Sequence, residues 1–328
     1  MLFTGKGMES KSGFHLPHLL RLIRWPNLLI VMMTQVMIMY LIIGRIYALS
    51  GITPALGVLP FLALAFTTVI IAAAGYIIND YFDMRADRIN KPDAVVVGKF
   101  LPRRKAIKLH IILNSVAIIA GFILAFKVGS FRLGLIFPLM ITLLWFYSER
   151  YKRTLLAGNL SVAAMTAMVV LVVWLFEFFA LKSDPEKFMA VYTMIGLINR
   201  IVFSYTLFAF LLTLIREMIK DAEDIEGDRS TGCRTLPVVY GIRSSKNLTA
   251  VMLLLTLILV VAGCYQLYNY ALPLPSAYFG AMVFLPLIYN LFKVLRATTK
   301  ADFHRISTLI KLTMLTGILG MFILAIYL

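Results

Sequence analysis

Residues 59–88, LPFLALAFTTVIIAAAGYIINDYFDMRADR, decide the architecture. The first twenty, 59–78, carry no charge, and that is about the length an α-helix needs to cross a hydrocarbon layer roughly 30 Å thick. The last ten, 79–88, hold three aspartates (Asp80, Asp83, Asp87), with Asn79 in front and Arg88 behind. A helix leaving a membrane needs only to return its chain to water. Three carboxylates at its mouth therefore ask for a reason.

Runs of the same apolar kind recur at 28–49, 55–78, 106–127, 133–149, 157–180, 197–219, 248–270, 276–294 and 307–328, nine in all. Leu, Ile, Met and Ala dominate them without the alternation of a membrane barrel. With 61% hydrophobic residues in 328, the chain reads as an all-α, polytopic membrane protein of about nine transmembrane helices, in one membrane domain over residues 1–328. Residues 1–24 read as a cytoplasmic N-terminus whose LPHLLRLIRW stretch forms an interfacial helix rather than a cleaved signal.

The formal charge of +16 would suggest nucleic acid in a soluble chain, so its distribution matters. With nine spans and a cytoplasmic N-terminus, 26 of the 32 Lys and Arg fall on the cytoplasmic side. Only Arg45, Lys127, Arg132, Lys182, Lys187 and Arg200 fall on the other. Topology accounts for this asymmetry, which argues against nucleic acid, and the remaining positive face suits anionic lipid or diphosphate. Cys233 and Cys264 are too far apart for a CxxC site, and the four histidines form no HExxH pattern.

The acidic pattern has an internal echo. Asp80, Asp83, Asp87 and Arg88 spell D-x-x-D-x-x-x-D-R, and Asp221, Asp224, Asp228 and Arg229 spell it again 141 residues later. Ten of the sixteen carboxylates lie in or beside these motifs: Asp80, Asp83, Asp87 and Asp93 in the first loop, and Glu217, Asp221, Glu223, Asp224, Glu226 and Asp228 in the second. At about 100° per residue, offsets of 0, 3 and 7 fall within roughly a 60° arc, so each trio shares a face if its helix continues past the membrane. Asn79 joins the edge of the first face and Glu217 lies one turn before the second, whereas Glu223 and Glu226 point away as solvated charges. Gly227 is where the second helix is expected to loosen. Hard divalent cations take oxygen ligands, and Mg²⁺ commonly shares one or two carboxylates with substrate phosphates. Two facing acidic helices would hold two or more Mg²⁺ ions around a diphosphate.

Four stretches give the chain a resemblance to the UbiA superfamily of intramembrane prenyltransferases: RWPN (24–27), NDYFDMRAD (79–87), YSERYKR (147–153) and KDAEDIEGDRSTGCRTLP (220–237). The resemblance extends in order and spacing over about 24–240 and implies a bundle around a central cavity. It implies Mg²⁺-dependent transfer of a prenyl group from a polyprenyl diphosphate, geranylgeranyl diphosphate among them, to a lipophilic acceptor. It assigns Asn79, Asp83 and Asp87 to metal on one side and Asp221, Asp224 and Asp228 on the other, with Asp80 beside or bracing the first site. Lys152 and Arg153 would contact diphosphate oxygens, with Arg88 and Arg229 adding positive charge. Tyr147 would face the cation or the diphosphate, and Arg24 and Asn27 would support the acceptor pocket or the first motif.

Where the family usually carries an arginine–proline pair, this chain has Asn90-Lys91-Pro92-Asp93-Ala94, which moves any diphosphate role there to Lys99, Arg103, Arg104 or Lys105. The second acidic run is most similar to members that prenylate geranylgeranylglyceryl phosphate; an aromatic acceptor of the 4-hydroxybenzoate or homogentisate type is the alternative. A CDP-alcohol phosphotransferase would show a single D-G-x-x-A-R…G-x-x-x-D-x-x-x-D run, which is not present here. A cation transporter would place ionisable groups in mid-membrane, where Glu177 is the one acidic candidate and lies near the outer end of its span.

Overall fold

A computed structural model describes residues 15–90 and 95–328, with side chains described for all of these except 85–90. Asp87 and Arg88 of the first acidic motif, and the Lys91–Ala94 departure from the family pattern, therefore lie outside the described side chains. Among the described residues, nine helices are long and apolar enough to cross a membrane.

A short helix α1 (Leu16–Leu22) precedes the first span, α2 (Trp25–Ala48). Pro26 sits in the first turn of α2, where its missing N–H has no partner to lose. Helix α3 (Val58–Asn90) has 33 residues, about 50 Å of helix, so it outruns the bilayer and carries the first acidic motif beyond it. Then come α4 (Arg103–Lys127), α5 (Phe131–Glu149) and α6 (Ala157–Lys182). The sixth span combines a short α7 (Pro185–Val191) with α8 (Ile195–Glu223), and the one-and-a-half-turn α9 (Ile225–Ser230) follows. Helices α10 (Leu236–Asn269), α11 (Pro273–Arg296) and α12 (Lys300–Tyr327) complete the chain. The sequence pattern starts the seventh apolar run at 248, twelve residues after α10 begins, because the first three turns of that helix are mixed in polarity.

Helix α8 packs along α6, α10 and α12, whereas α3 packs along α4, α5 and α2. The two acidic motifs therefore stand on helices with different neighbours. In lipid, where apolar surface gains little by leaving one apolar medium for another, close approach matters more than area. Helices α4 and α5 supply it reciprocally: a Cβ on Gly121 would meet the Phe137 ring at 2.1 Å, and one on Gly134 would meet the Phe122 ring at 2.3 Å.

Several polar groups inside the spans are internally paired. Gln35 donates to the Thr68 hydroxyl at 3.2 Å and to the Val169 carbonyl at 3.1 Å, and Trp174 donates to Asn199 at 2.7 Å. Glu177 is fully buried and accepts from the backbone N–H groups of Ala55 (2.7 Å) and Leu56 (3.0 Å), fixing the turn between α2 and α3. This acidic residue near the outer end of its span is thus a loop anchor. At the end of the bundle away from the acidic motifs, Arg45 donates to the Ala325 carbonyl at 3.0 Å and ties α2 to α12.

Candidate active site

The first motif is delivered by an unbroken helix. Asp80 and Asp83 lie one turn apart on α3, with side chains 17% and 13% exposed. Arg24 reaches Asp80 from the start of α2 at 3.0 Å and stacks over the Tyr76 ring at 4.8 Å. It does so from a left-handed backbone (φ 51°), a conformation uncommon outside glycine, which turns the chain from α1 into α2. Lys152 pairs with Asp83 from the loop between α5 and α6. That loop lies tightly on the first turn of α6: a Cβ on Gly158 would meet the Tyr151 carbonyl oxygen at 2.8 Å and Lys152 Cα at 2.9 Å.

Leu22, Ile77, Val96, Val97, Leu101 and Ala106 form a small apolar cluster that seats α1 and the 95–101 loop against α3. This loop holds part of the basic segment. Arg103, at the start of α4, stacks over Tyr81 at 4.6 Å, immediately beside Asp80. Lys99 instead lies over Phe100 at 5.4 Å.

The second motif is built differently. Helix α8 ends at Glu223, and Asp224 has a non-helical backbone (φ −100°, ψ 13°) before α9 begins. The expectation of one continuous face for Asp221, Asp224 and Asp228 fails here: the break falls at Asp224, not at Gly227. The ladder resumes when Asp228 N–H donates to the Asp224 carbonyl at 2.9 Å. Asp221 accepts from the Asn159 amide at 2.8 Å, and Asp228 accepts from the Thr235 hydroxyl at 3.0 Å. Lys300, at the start of α12, stands 3.9 Å from Asp224. Burial pushes the Asp228 carboxyl above its ordinary range; the Thr235 hydrogen bond opposes this, and repulsion from Asp224 and, more weakly, Asp83 adds to it. Asp228 thus feels a carboxylate of the first motif.

One loop links the two halves. Lys152 pairs with Asp83, and the carbonyl of the adjacent Arg153 accepts from the Arg234 N–H at 2.9 Å, just beyond the second motif. Tyr147 is half-buried at the end of α5, within electrostatic reach of Glu217, Lys152, Asp83 and Asp221. Glu217 itself is paired with Arg216 at 3.0 Å and Lys220 at 3.5 Å.

Other expected site residues stand further out. The Arg153 and Arg229 side chains are exposed, and only the backbone of Arg153 takes part in the link. Asn27 and Asn79 are partly buried near their motif, on the first turn of α2 and directly before Asp80. Glu223 corrects the sequence reading of a solvated charge: its side chain is 15% exposed and meets His304 of α12 at 2.9 Å. Asn159 and Lys300 carry no motif signal, since each joins the site through the tertiary fold; Thr235 stands within the 220–237 stretch, but the resemblance assigns it no role. Carboxylates and amide oxygens are donors that suit a hard divalent cation. Among the described residues, no three His, Cys, Asp or Glu side chains already stand close enough to share one.

A model of the UbiA prenyltransferase family matches residues 36–315. Digeranylgeranylglyceryl phosphate synthase of Methanosphaera stadtmanae is 30% identical over 75% of this chain and 80% of its own length. The enzyme of the same name from Thermococcus sibiricus is 33% identical over 66% and 71%. Among solved structures, one concerning digeranylgeranylglyceryl phosphate synthase in membranes superposes with a TM-score of 0.65 at 22% identity, covering 95% of this chain and 99% of that one. A UbiA homologue from Archaeoglobus fulgidus bound to DMAPP and Mg²⁺ gives 0.54 at 16% identity, covering 92% and 98%. Nine apolar helices, two acidic motifs linked through the Lys152 loop and a family match over most of the chain agree: this is an integral membrane prenyltransferase belonging to the UbiA family.

Proposed function

We propose that the space between the α3 and α8–α9 acidic motifs ionises a polyprenyl diphosphate, of the geranylgeranyl class, and that the prenyl group passes to geranylgeranylglyceryl phosphate. The observation that carries this reading is the Lys152–Arg153 loop, which pairs with the first motif through a side chain and bonds through its backbone to Arg234, just beyond the second. A diphosphate between the motifs would meet a cation already aimed inward.

Asn79, Asp80, Asp83 and Asp87 on one side and Asp221, Asp224 and Asp228 on the other would hold Mg²⁺, in two or more ions. Bound there, Mg²⁺ neutralises charge developing on the leaving group. Lys152, with Arg24 and Lys300 in support, stabilises the same charge as the allylic C–O bond breaks. The acceptor hydroxyl oxygen then forms the new bond to C1 and passes its proton to the released diphosphate, while apolar helix faces keep water from the cation. Tyr147, within electrostatic reach of Lys152 and Asp83, would turn its ring to that cation or its hydroxyl to the diphosphate. Arg153 and Arg229 fit a peripheral role, attracting anionic substrate to this face. The basic face and the two named relatives support a phosphate-bearing lipid as acceptor and a cytoplasmic orientation of the site.

The test is to incubate purified protein with Mg²⁺, labelled geranylgeranyl diphosphate, and either geranylgeranylglyceryl phosphate or an aromatic acid acceptor. Product is expected only with the glyceryl phosphate lipid and only until EDTA is added. Product with 4-hydroxybenzoate alone would overturn the acceptor, and EDTA-resistant turnover would overturn the metal site.

A further inference from the structure

On the outer side of the last helical hairpin is a cavity of about 410 Å³ that the prenyl-transfer site does not use. Helix α11 contributes Tyr289, Phe292, Lys293 and Arg296, and α12 contributes Arg305 and Leu309. Tyr289 and Phe292 are 50% and 56% exposed on a membrane helix, so the apolar wall faces lipid. Among the described residues, Lys293, Arg296 and Arg305 form no salt bridge. Asp302 also lines the cavity; its Oδ2 caps α12, accepting from Thr298 N–H (3.1 Å), Thr299 N–H (3.0 Å) and the Thr299 hydroxyl (2.8 Å). Arg305 lies within its electrostatic reach, which leaves the cavity with a positive excess.

Basic side chains that only anchor a helix extend separately toward headgroups. Here three converge from two helices on one cavity, and Lys293 is held over the Tyr289 ring at 5.2 Å. The hairpin is also preset: the α12 cap fixes one side of its turn, and Lys246 of α10 donates to the Ala297 carbonyl at 2.8 Å on the other. By helical register, Lys300, which reaches Asp224, and His304, which pairs with Glu223, stand on one edge of α12. Arg305 and Leu309 stand about 100° and 140° round the helix from His304. The cavity is therefore separate from the reaction site.

We propose that this cavity is a binding site for one anionic phospholipid of the surrounding bilayer. Arg296, Arg305 and Lys293 take the phosphate headgroup, and Phe292, Tyr289 and Leu309 take the start of an acyl chain. The match is one of charge and amphiphilicity: a negative headgroup meets three cations at the membrane surface, and its chain meets an apolar wall below.

Native mass spectrometry of the full-length protein, extracted from nanodiscs of phosphatidylglycerol or phosphatidylcholine, tests this. One phosphatidylglycerol per chain is expected to remain bound, phosphatidylcholine is not, and millimolar inorganic phosphate should not displace the lipid. Arg296→Gln/Arg305→Gln should lower retention by on the order of tenfold, since each basic residue near an anionic surface contributes a several-fold factor. Lys105→Gln/Lys108→Gln, which removes equal charge from the start of α4, should not change it. Arg296→Lys/Arg305→Lys should keep most of the bound lipid, and this pair together with the phosphate competition decides the matter if the glutamine pair fails to fold. Equal retention of phosphatidylcholine, unchanged retention in the glutamine pair, or displacement by phosphate would each overturn the proposal.

Discussion

The two acidic motifs have one spacing and two constructions. The first is carried on α3 without interruption, and its described aspartates are met by cations, Arg24 at Asp80 and Lys152 at Asp83. The second is cut at Asp224, and two of its aspartates are met by neutral donors, Asn159 at Asp221 and Thr235 at Asp228. A carboxylate ion-paired on a rigid helix is fixed in place. One held by an amide or a hydroxyl next to a helix break can accept a further positive partner without first giving up an ion pair. The difference suggests unequal roles for the halves: the α3 side positions the diphosphate through Lys152, and the α8–α9 side adjusts around it.

The sharpest way to break this comparison is to remove one aspartate from each half. Asp83→Ala and Asp224→Ala should each lower kcat by about 10²–10³-fold or more, the scale for losing groups that stabilise transition-state charge. Near-normal turnover in either variant would mean that one motif serves alone. Next comes the link. Lys152→Ala should cost about 10²-fold, and Gly158→Ala about tenfold, because its new methyl would push the loop that carries Lys152 away from α6. If Gly158→Ala is silent, the loop position is not what couples the halves. A smaller effect separates the two sides. Asn159→Ala and Thr235→Val should raise the Mg²⁺ concentration for half-maximal rate by about tenfold, as expected for partners that orient ligand carboxylates. Neither should abolish turnover at saturating Mg²⁺. A loss that excess Mg²⁺ does not rescue would make these residues part of the reacting site itself.

The nine helices and both motifs were legible in the sequence because apolar length and repeated spacing are local signals. The resemblance of YSERYKR singled out Lys152, but as a diphosphate contact; its pairing with Asp83 is a finding of the structure. The break at Asp224 was not: glycine at 227 draws attention to the wrong residue, and an aspartate can end a helix without leaving a compositional mark. Asn159 and Lys300 were equally hidden, since each lies in a different span and reaches the motif only after packing; Thr235 was in view within 220–237, but nothing there marked its hydroxyl as the partner of Asp228. Glu223 was misread because helical phasing shows which way a side chain leaves its own helix. It says nothing about α12 waiting there with His304.

That misreading supplies the smallest and most discriminating test. Glu223 pairs with His304 at 2.9 Å, whereas Glu226, three residues on, is exposed and forms no salt bridge among the described residues. The His304 side chain is 70% exposed, so the pair should contribute less than about 1 kcal/mol. Glu223→Gln and His304→Gln should therefore each lower Tm slightly, and the double variant should lower it no further than either alone. Glu226→Gln should change nothing. Turnover should stay near that of the unmodified protein in all of these, since none of the three side chains faces the aspartates. Additive losses of Tm in the double variant would show that α8 and α12 are not joined through this pair. A large loss of turnover with Glu223→Gln would place that carboxylate inside the site and return the second motif to a single unbroken face.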